Sequence, residues 1–433
     1  MQVDLFLLGI IIVSLLVVFL GYEVAFTLGV LSIVYLVLND FPISFAVQEL
    51  GESIQNFTML AIPLFMFAGS LMNAGKITDR IFKFANILVG RIAGGLGHVN
   101  IIASLIFAGM SGSILADVAG LGRMEYKAMT DSGYKKDFAI GVTLSSAAIG
   151  PILPPSVPLV LFGLIAEVSI TGLFLGGILP AFLIALCLMI YVFFVGKKYN
   201  YYSYQGVWSF KTLLFSFLQA FPALLTPVII VGGMTLGIFS PTEGAVVAVL
   251  YALLLSAVVY RDLTLKLFFE VSQEVVIGTT RLLFVISMAL LFGWVLSVGR
   301  MPQELAGWIG DTFDNSWGFL LLLNISLLIL GAIIENAILL LILAPMMIPI
   351  AQQNFGIDPI HLGVVMVFNI MIGQFTPPMG LSLFIMRDIT NLSLKRISLA
   401  VFPFLIPLIA ALLMMTFFPS IITTIPHLLG YGG

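Results

Sequence analysis

The sequence predicts an all-α polytopic membrane protein made of two inverted repeats, with about ten transmembrane spans and two re-entrant hairpins. Three observations carry that prediction. Of 433 residues, 61% are hydrophobic and 9% charged, and mean hydropathy is +1.17. A water-soluble chain has roughly a quarter of its residues charged, so the bilayer is the natural solvent here. Apolar stretches of spanning length recur from end to end. The second half also repeats the first at a nearly constant offset.

The first stretch, 3–20, lacks a basic leader and a small-residue cleavage site, and reads as a transmembrane helix instead of a removed signal. Further spans are expected at 22–38, 58–74, 137–167, 171–196, 222–239, 241–260, 281–298, 360–389 and 396–418. Segments 42–57 and 262–280 mix charge with helically spaced apolar residues and suit helices lying along the interface. Two stretches, 98–130 and 316–353, are too long for one span and are interrupted by Ser111-Gly112-Ser113 and by Glu335-Asn336. Each is either one tilted helix or a hairpin that enters and leaves by the same face.

Basic residues decide, because they gather on the cytoplasmic side. With both stretches as hairpins, 76–92, 123–136, 197–211, 261–281 and 387–396 share one face and hold 17 of the 18 Lys and Arg residues. Only Arg300 falls opposite. A full span at either place would split these clusters.

The repeat follows at an offset of 223: Gly150 and Pro154-Pro155 match Gly373 and Pro377-Pro378, Pro180 matches Pro403, and Ser113 matches Asn336. Five spans and one hairpin per copy is an odd number of crossings, so the second copy runs upside down. Inverted repeats with broken helices are the construction of secondary transporters, which hold substrate and coupling ions between the copies.

The interruptions carry the candidate chemistry. Proline removes a backbone donor and breaks the helix around 150–156 and 373–378. Freed backbone groups at membrane depth need partners, and a cation and a polar ligand supply them. Half-helices that end at the tips aim carbonyls at a cation; those that begin there aim N–H groups at an anion. One sodium site is expected from Ser111, Gly112, Ser113, Gly150 and Pro154, and a second from Glu335, Asn336, Gly373, Thr376 and Pro377. Substrate contacts are expected from Ser113, Asp117, Ser156 and Asn336. Sodium is favoured over protons because the ligands are hard oxygens, and no other cofactor is called for. The repeat counterpart of Asp117 is Leu340, so the two sites differ.

Other classes fit poorly. A net charge of −3 gives no surface for nucleic acid, one cysteine (Cys187) excludes an internal disulfide, and three scattered histidines lack ligand spacing. No nucleophile pairs with a histidine, so an intramembrane enzyme is not expected.

The motifs SGSILADVAGLG (111–122), GPILPPSVPL (150–159), FSPTEGAVVAVLYAL (239–253) and IGQFTPPMGLSLF (372–384) resemble the large membrane subunit of tripartite ATP-independent periplasmic (TRAP) transporters. AIPLFMFAGSLMNAGKI (61–77) and GIDPIHLGVVMV (356–367) fit as well, and the resemblance covers nearly the whole chain. It implies an elevator-type, sodium-coupled importer of a small organic acid, of the sialic acid or C4-dicarboxylate type, in the bacterial inner membrane. It also implies a periplasmic substrate-binding (P) protein and a small membrane (Q) subunit, here expected as a separate polypeptide. Scaffold parts 1–57 and 197–280 would hold still around transport parts 58–196 and 281–433. Family members often carry aspartate where this chain has Glu335. Glu243 and Arg300, on the outer face, are candidates for docking the binding protein. The alternative is a stand-alone sodium/anion symporter of the same superfamily.

Overall fold

The computed structural model describes residues 5–20, 22–74, 77–201, 209–377 and 380–431, and no β-strand occurs among them. Pro378, residues 3–4 of the first span and the stretch 202–208 lie outside the described residues. In the first half the helices are α1 (Leu5–Phe19), α2 (Val24–Leu38), α3 (Ile43–Gln55), α4 (Ala61–Ala74) and α5 (Ile77–Val89). They continue with α6 (Gly95–Ser111), α7 (Ile114–Asp131), α8 (Lys136–Ser146), α9 (Val157–Ile165) and α10 (Ile170–Tyr199). The second half holds α11 (Phe210–Thr235), α12 (Pro241–Leu254), α13 (Leu265–Val298), α14 (Met301–Thr312) and α15 (Ser316–Gly331). It ends with α16 (Asn336–Phe355), α17 (Pro359–Gly373), α18 (Leu381–Thr390), α19 (Leu394–Phe417) and α20 (Ser420–Leu428).

The repeat is visible in these bounds. Starts at Gly95, Ile114, Lys136 and Ile170 recur at Ser316, Asn336, Pro359 and Leu394, at offsets of 221 to 224. Both interrupted stretches are hairpins. The Leu96 N–H, at the start of α6, donates to the Tyr134 hydroxyl just beyond α7 at 3.1 Å. Phe319 near the start of α15 stacks on Phe355 at the end of α16, with ring centroids 4.9 Å apart. A single tilted helix would hold either pair far apart. Among the described residues, seven helices are long and apolar enough to cross a membrane, and shorter apolar helices supply the remaining spans. Their exposed side chains include Phe182, Phe194, Leu250 and Ile406, as lipid-facing surfaces require.

Four elements differ from the sequence reading. The interfacial helix expected at 262–280 and the span at 281–298 are one uninterrupted helix, α13, because no proline or capping residue separates them. In the first repeat the same join is broken at Asn56, whose extended backbone precedes a short 3-10 turn and whose Oδ1 accepts from Thr58 N–H at 2.9 Å. The charged links 76–92 and 299–315, read as connections, contain α5 and α14. Finally, α20 was not foreseen; His427 ties it to Asp358, the N-cap of α17, at 2.7 Å.

Candidate functional site

Each hairpin tip touches the broken helix of its own repeat. Gly112 has φ +57, and a Cβ there would collide with the Pro155 carbonyl oxygen, so only glycine fits both constraints. Gly150 lies against Ser113, whose carbonyl carbon is 3.4 Å from a Cβ built on the glycine. In the second repeat Gly331 and Gly373 meet backbone to backbone with no room for a side chain. Asn336 points at the same helix, its Nδ2 at 3.4 Å from Met371 Sδ.

Deeper in, each hairpin is pinned by a matching polar cluster. Asn100 of α6 donates to Thr143 Oγ1 at 2.8 Å and accepts from Ser146 Oγ of α8 at 2.6 Å. Asn369, the repeat partner of Ser146, donates to Asn324 Oδ1 of α15 at 2.6 Å, and Asn324 donates to Thr416 Oγ1 at 2.9 Å. All are buried. The polar bonds at membrane depth hold hairpin and broken helix together.

The two tips share one cavity of about 180 Å³, lined by Gly112, Ser113, Pro151, Glu335, Asn336 and Gln374, with Met66 and Leu282 closing its side. Three helix N-termini border it, α7 at Ile114, α9 at Val157 and α16 at Asn336. Their free N–H groups and dipoles suit an anion. Among the described residues, Glu335 is the sole charged side chain of its lining. Two wider recesses reach the tips. One, of about 550 Å³, runs from Ser111 and Ser113 past Asn73 to Glu270 and Glu274; the other, of about 370 Å³, runs from Glu335 and Asn336 past Gln374 to Glu23. Asn73 and Glu270 flank the basic clusters, so the larger recess opens toward the basic face.

Of the expected ion ligands, Ser111, Gly112, Ser113 and Gly150 come together, with Pro154 buried in the break beside them. The Ser111 hydroxyl is buried with no hydrogen-bond partner among the described residues. Glu335, Asn336 and Gly373 converge likewise. Thr376 donates to the Ile372 carbonyl at 3.1 Å and keeps its oxygen free to accept, whereas Pro377 faces outward.

Two expected substrate contacts lie elsewhere. Ser156 is fully buried, its hydroxyl donating to the Pro151 carbonyl and capping Leu159 N–H at 3.2 Å. Asp117 is turned to the α6–α8 side of α7, away from the cavity, and is 1% exposed. Gln374 and Met371 line the cavity and were missed; Gln374 stands at the repeat position of Pro151, which was a usable signal. Of the two expected docking residues, Glu243 forms a capping box with Ser240, receiving its N–H at 2.7 Å. Arg300, exposed, edges a cleft with Glu304 and Asp311.

This arrangement has relatives. The family model described as "Tripartite ATP-independent periplasmic transporter, DctM component" matches residues 10–421. The chain belongs to this family. The DctM-family chain is 45% identical to the sialic acid TRAP transporter large permease protein SiaM of Vibrio cholerae, over 96% of this chain and 97% of that one. It is 41% identical to the permease protein SiaT of Haemophilus influenzae, covering 96% of this chain and 68% of that protein. The C4-dicarboxylate large permease protein DctM of Pseudomonas aeruginosa is 38% identical over 88% and 89%. Among solved structures, the YdaH transporter of Alcanivorax borkumensis shares the fold, with TM-score 0.63 at 13% identity, covering 87% of this DctM-family chain and 88% of that one.

Proposed function

We propose that this chain is the large membrane subunit of a sodium-coupled importer of a small organic acid in the bacterial inner membrane. A periplasmic P protein delivers the substrate, and a separate Q subunit completes the membrane part. The observation that carries this reading is the convergence of three helix N-termini on a cavity that has no basic side chain among its described lining residues. An anion there is held by helix ends, and the negative charge it brings calls for cations close by. The carbonyl-rich ends of α6 and α17, with Ser111, Ser113, Asn336 and Thr376, are the oxygens for two sodium ions. Identity to SiaM makes sialic acid the first substrate to test, ahead of C4-dicarboxylates.

The chain moves as an elevator in this reading, with hairpins and broken helices travelling past a scaffold. We place the moving boundary at the links α5 and α14 instead of at residue 280, a choice the unbroken run of α13 supports.

The test is uptake of labelled sialic acid into liposomes that hold this chain and its Q partner, under an inward sodium gradient. Uptake needs both sodium and the P protein; Ser113→Ala and Thr376→Ala each raise half-saturating sodium by about three- to tenfold. Uptake without any partner protein would favour the stand-alone symporter, and uptake indifferent to sodium would sink the two-site reading.

A further inference from the structure

Glu125 is buried where the function proposed above leaves it no task. It lies on α7, 1% exposed, and its Oε1 has no hydrogen-bond partner. Asp117 lies two turns earlier on the same helix, beside Ser104 of α6, and neither of its carboxylate oxygens accepts a well-formed hydrogen bond. The opposing polar groups, Asn100 and Ser104 of α6 with Thr143 and Ser146 of α8, satisfy one another, Ser104 donating to Ser146 at 3.1 Å.

Among the described residues no cation answers this acid. Of the helices packed on α7, α4 carries no charged residue, and α6 carries only His98, whose Nε2 is engaged with the Ala93 carbonyl at 3.0 Å. Lys136 and Asp137 of α8, and Arg387 and Asp388 of α18, are exposed. On α7 itself Arg123, Lys127 and Asp131 are exposed and Tyr126 is half-buried. An ionised, unpaired carboxylate in such surroundings is strongly disfavoured.

The second repeat is an internal control for the plainest explanation, that packing requires acids here. Its matching arm, α16, carries Leu340 and Ile348 at the positions of Asp117 and Glu125, both buried. A hairpin arm of this architecture therefore packs without either acid. A metal ion is a poor occupant, since a hard cation gathers about six oxygens and the network's oxygens are already engaged. A proton needs one.

We propose that Glu125 is a proton-binding site of the first hairpin, occupied whenever α7 is packed against α8. The site is independent of which ion drives transport. Infrared difference spectroscopy during a pH titration reads the carbonyl stretch of a protonated carboxyl group. The chain in liposomes should show this band at neutral pH, and both Glu125→Gln and Glu125→Ile should lose part of it. Uptake at saturating driving ion should fall by about tenfold per pH unit once Glu125 gives up its proton, and Glu125→Gln should remove that decline. A Glu125→Gln spectrum identical to the unmodified chain, or an unchanged pH profile, overturns the proposal. If neither variant folds, Asp117→Asn decides: a protonated-carboxyl band that remains in it at neutral pH and is lost in step with uptake supports the proposal, and no such band overturns it.

Discussion

Gly112 is fixed by two demands, a left-handed backbone and contact with the Pro155 carbonyl. Replacing it with alanine strains both the tip and the broken helix. Gly112→Ala should cost about 2 kcal/mol or more, read as a lower unfolding temperature in detergent. The Asn324–Asn369 bond is a milder case. Polar bonds between membrane helices are worth about 1 kcal/mol, so Asn369→Ala should cost about that much and loosen the second hairpin, seen as faster hydrogen exchange in α15. At this scale the sequence discloses which residues sit at the breaks but not where their side chains turn. Ser156 looks like a substrate contact because it follows two prolines; its N-cap backbone turns the hydroxyl onto the chain itself. Gln374, within the second break but not among the expected ligands, lines the cavity.

Among elements, α13 has the most to say. With 34 residues it is about 51 Å long at the usual helical rise, well beyond the ~30 Å hydrocarbon core, so it tilts or projects from the membrane. Thr280 stands where the first repeat is broken at Asn56, and there α13 runs on unbroken. Thr280→Pro should cost about 3 kcal/mol and abolish uptake, because it installs that break in a helix that has no cap to serve it. Measured unfolding close to that of the unmodified chain would show that α13 is not a rigid strut. Hairpins, broken helices and the repeat were legible because proline pairs and basic clusters mark them strongly. The links α5 and α14 were not. The buried stripe of α5, Ile77, Ile81, Ala85 and Val89, is one residue wide and is masked by the charges around it.

For the whole molecule, the elevator proposal is decided by cross-linking. Leu282 on α13 and Ala337 on α16 line the same cavity from the two sides of the proposed boundary. With Cys187 replaced, cysteines at both positions joined by a bifunctional thiol reagent should stop uptake while leaving sodium binding in place. Uptake that survives the cross-link would rule out sliding between these helices. The shared cavity carries one more consequence. At about 180 Å³ it falls below the ~300–1,000 Å³ typical of small-molecule pockets. Ions and water fit it, and a sugar acid must wait for the tips to part. Turnover then belongs to the rhythm of that parting, so a bulkier acid would be carried more slowly even when it is held just as tightly.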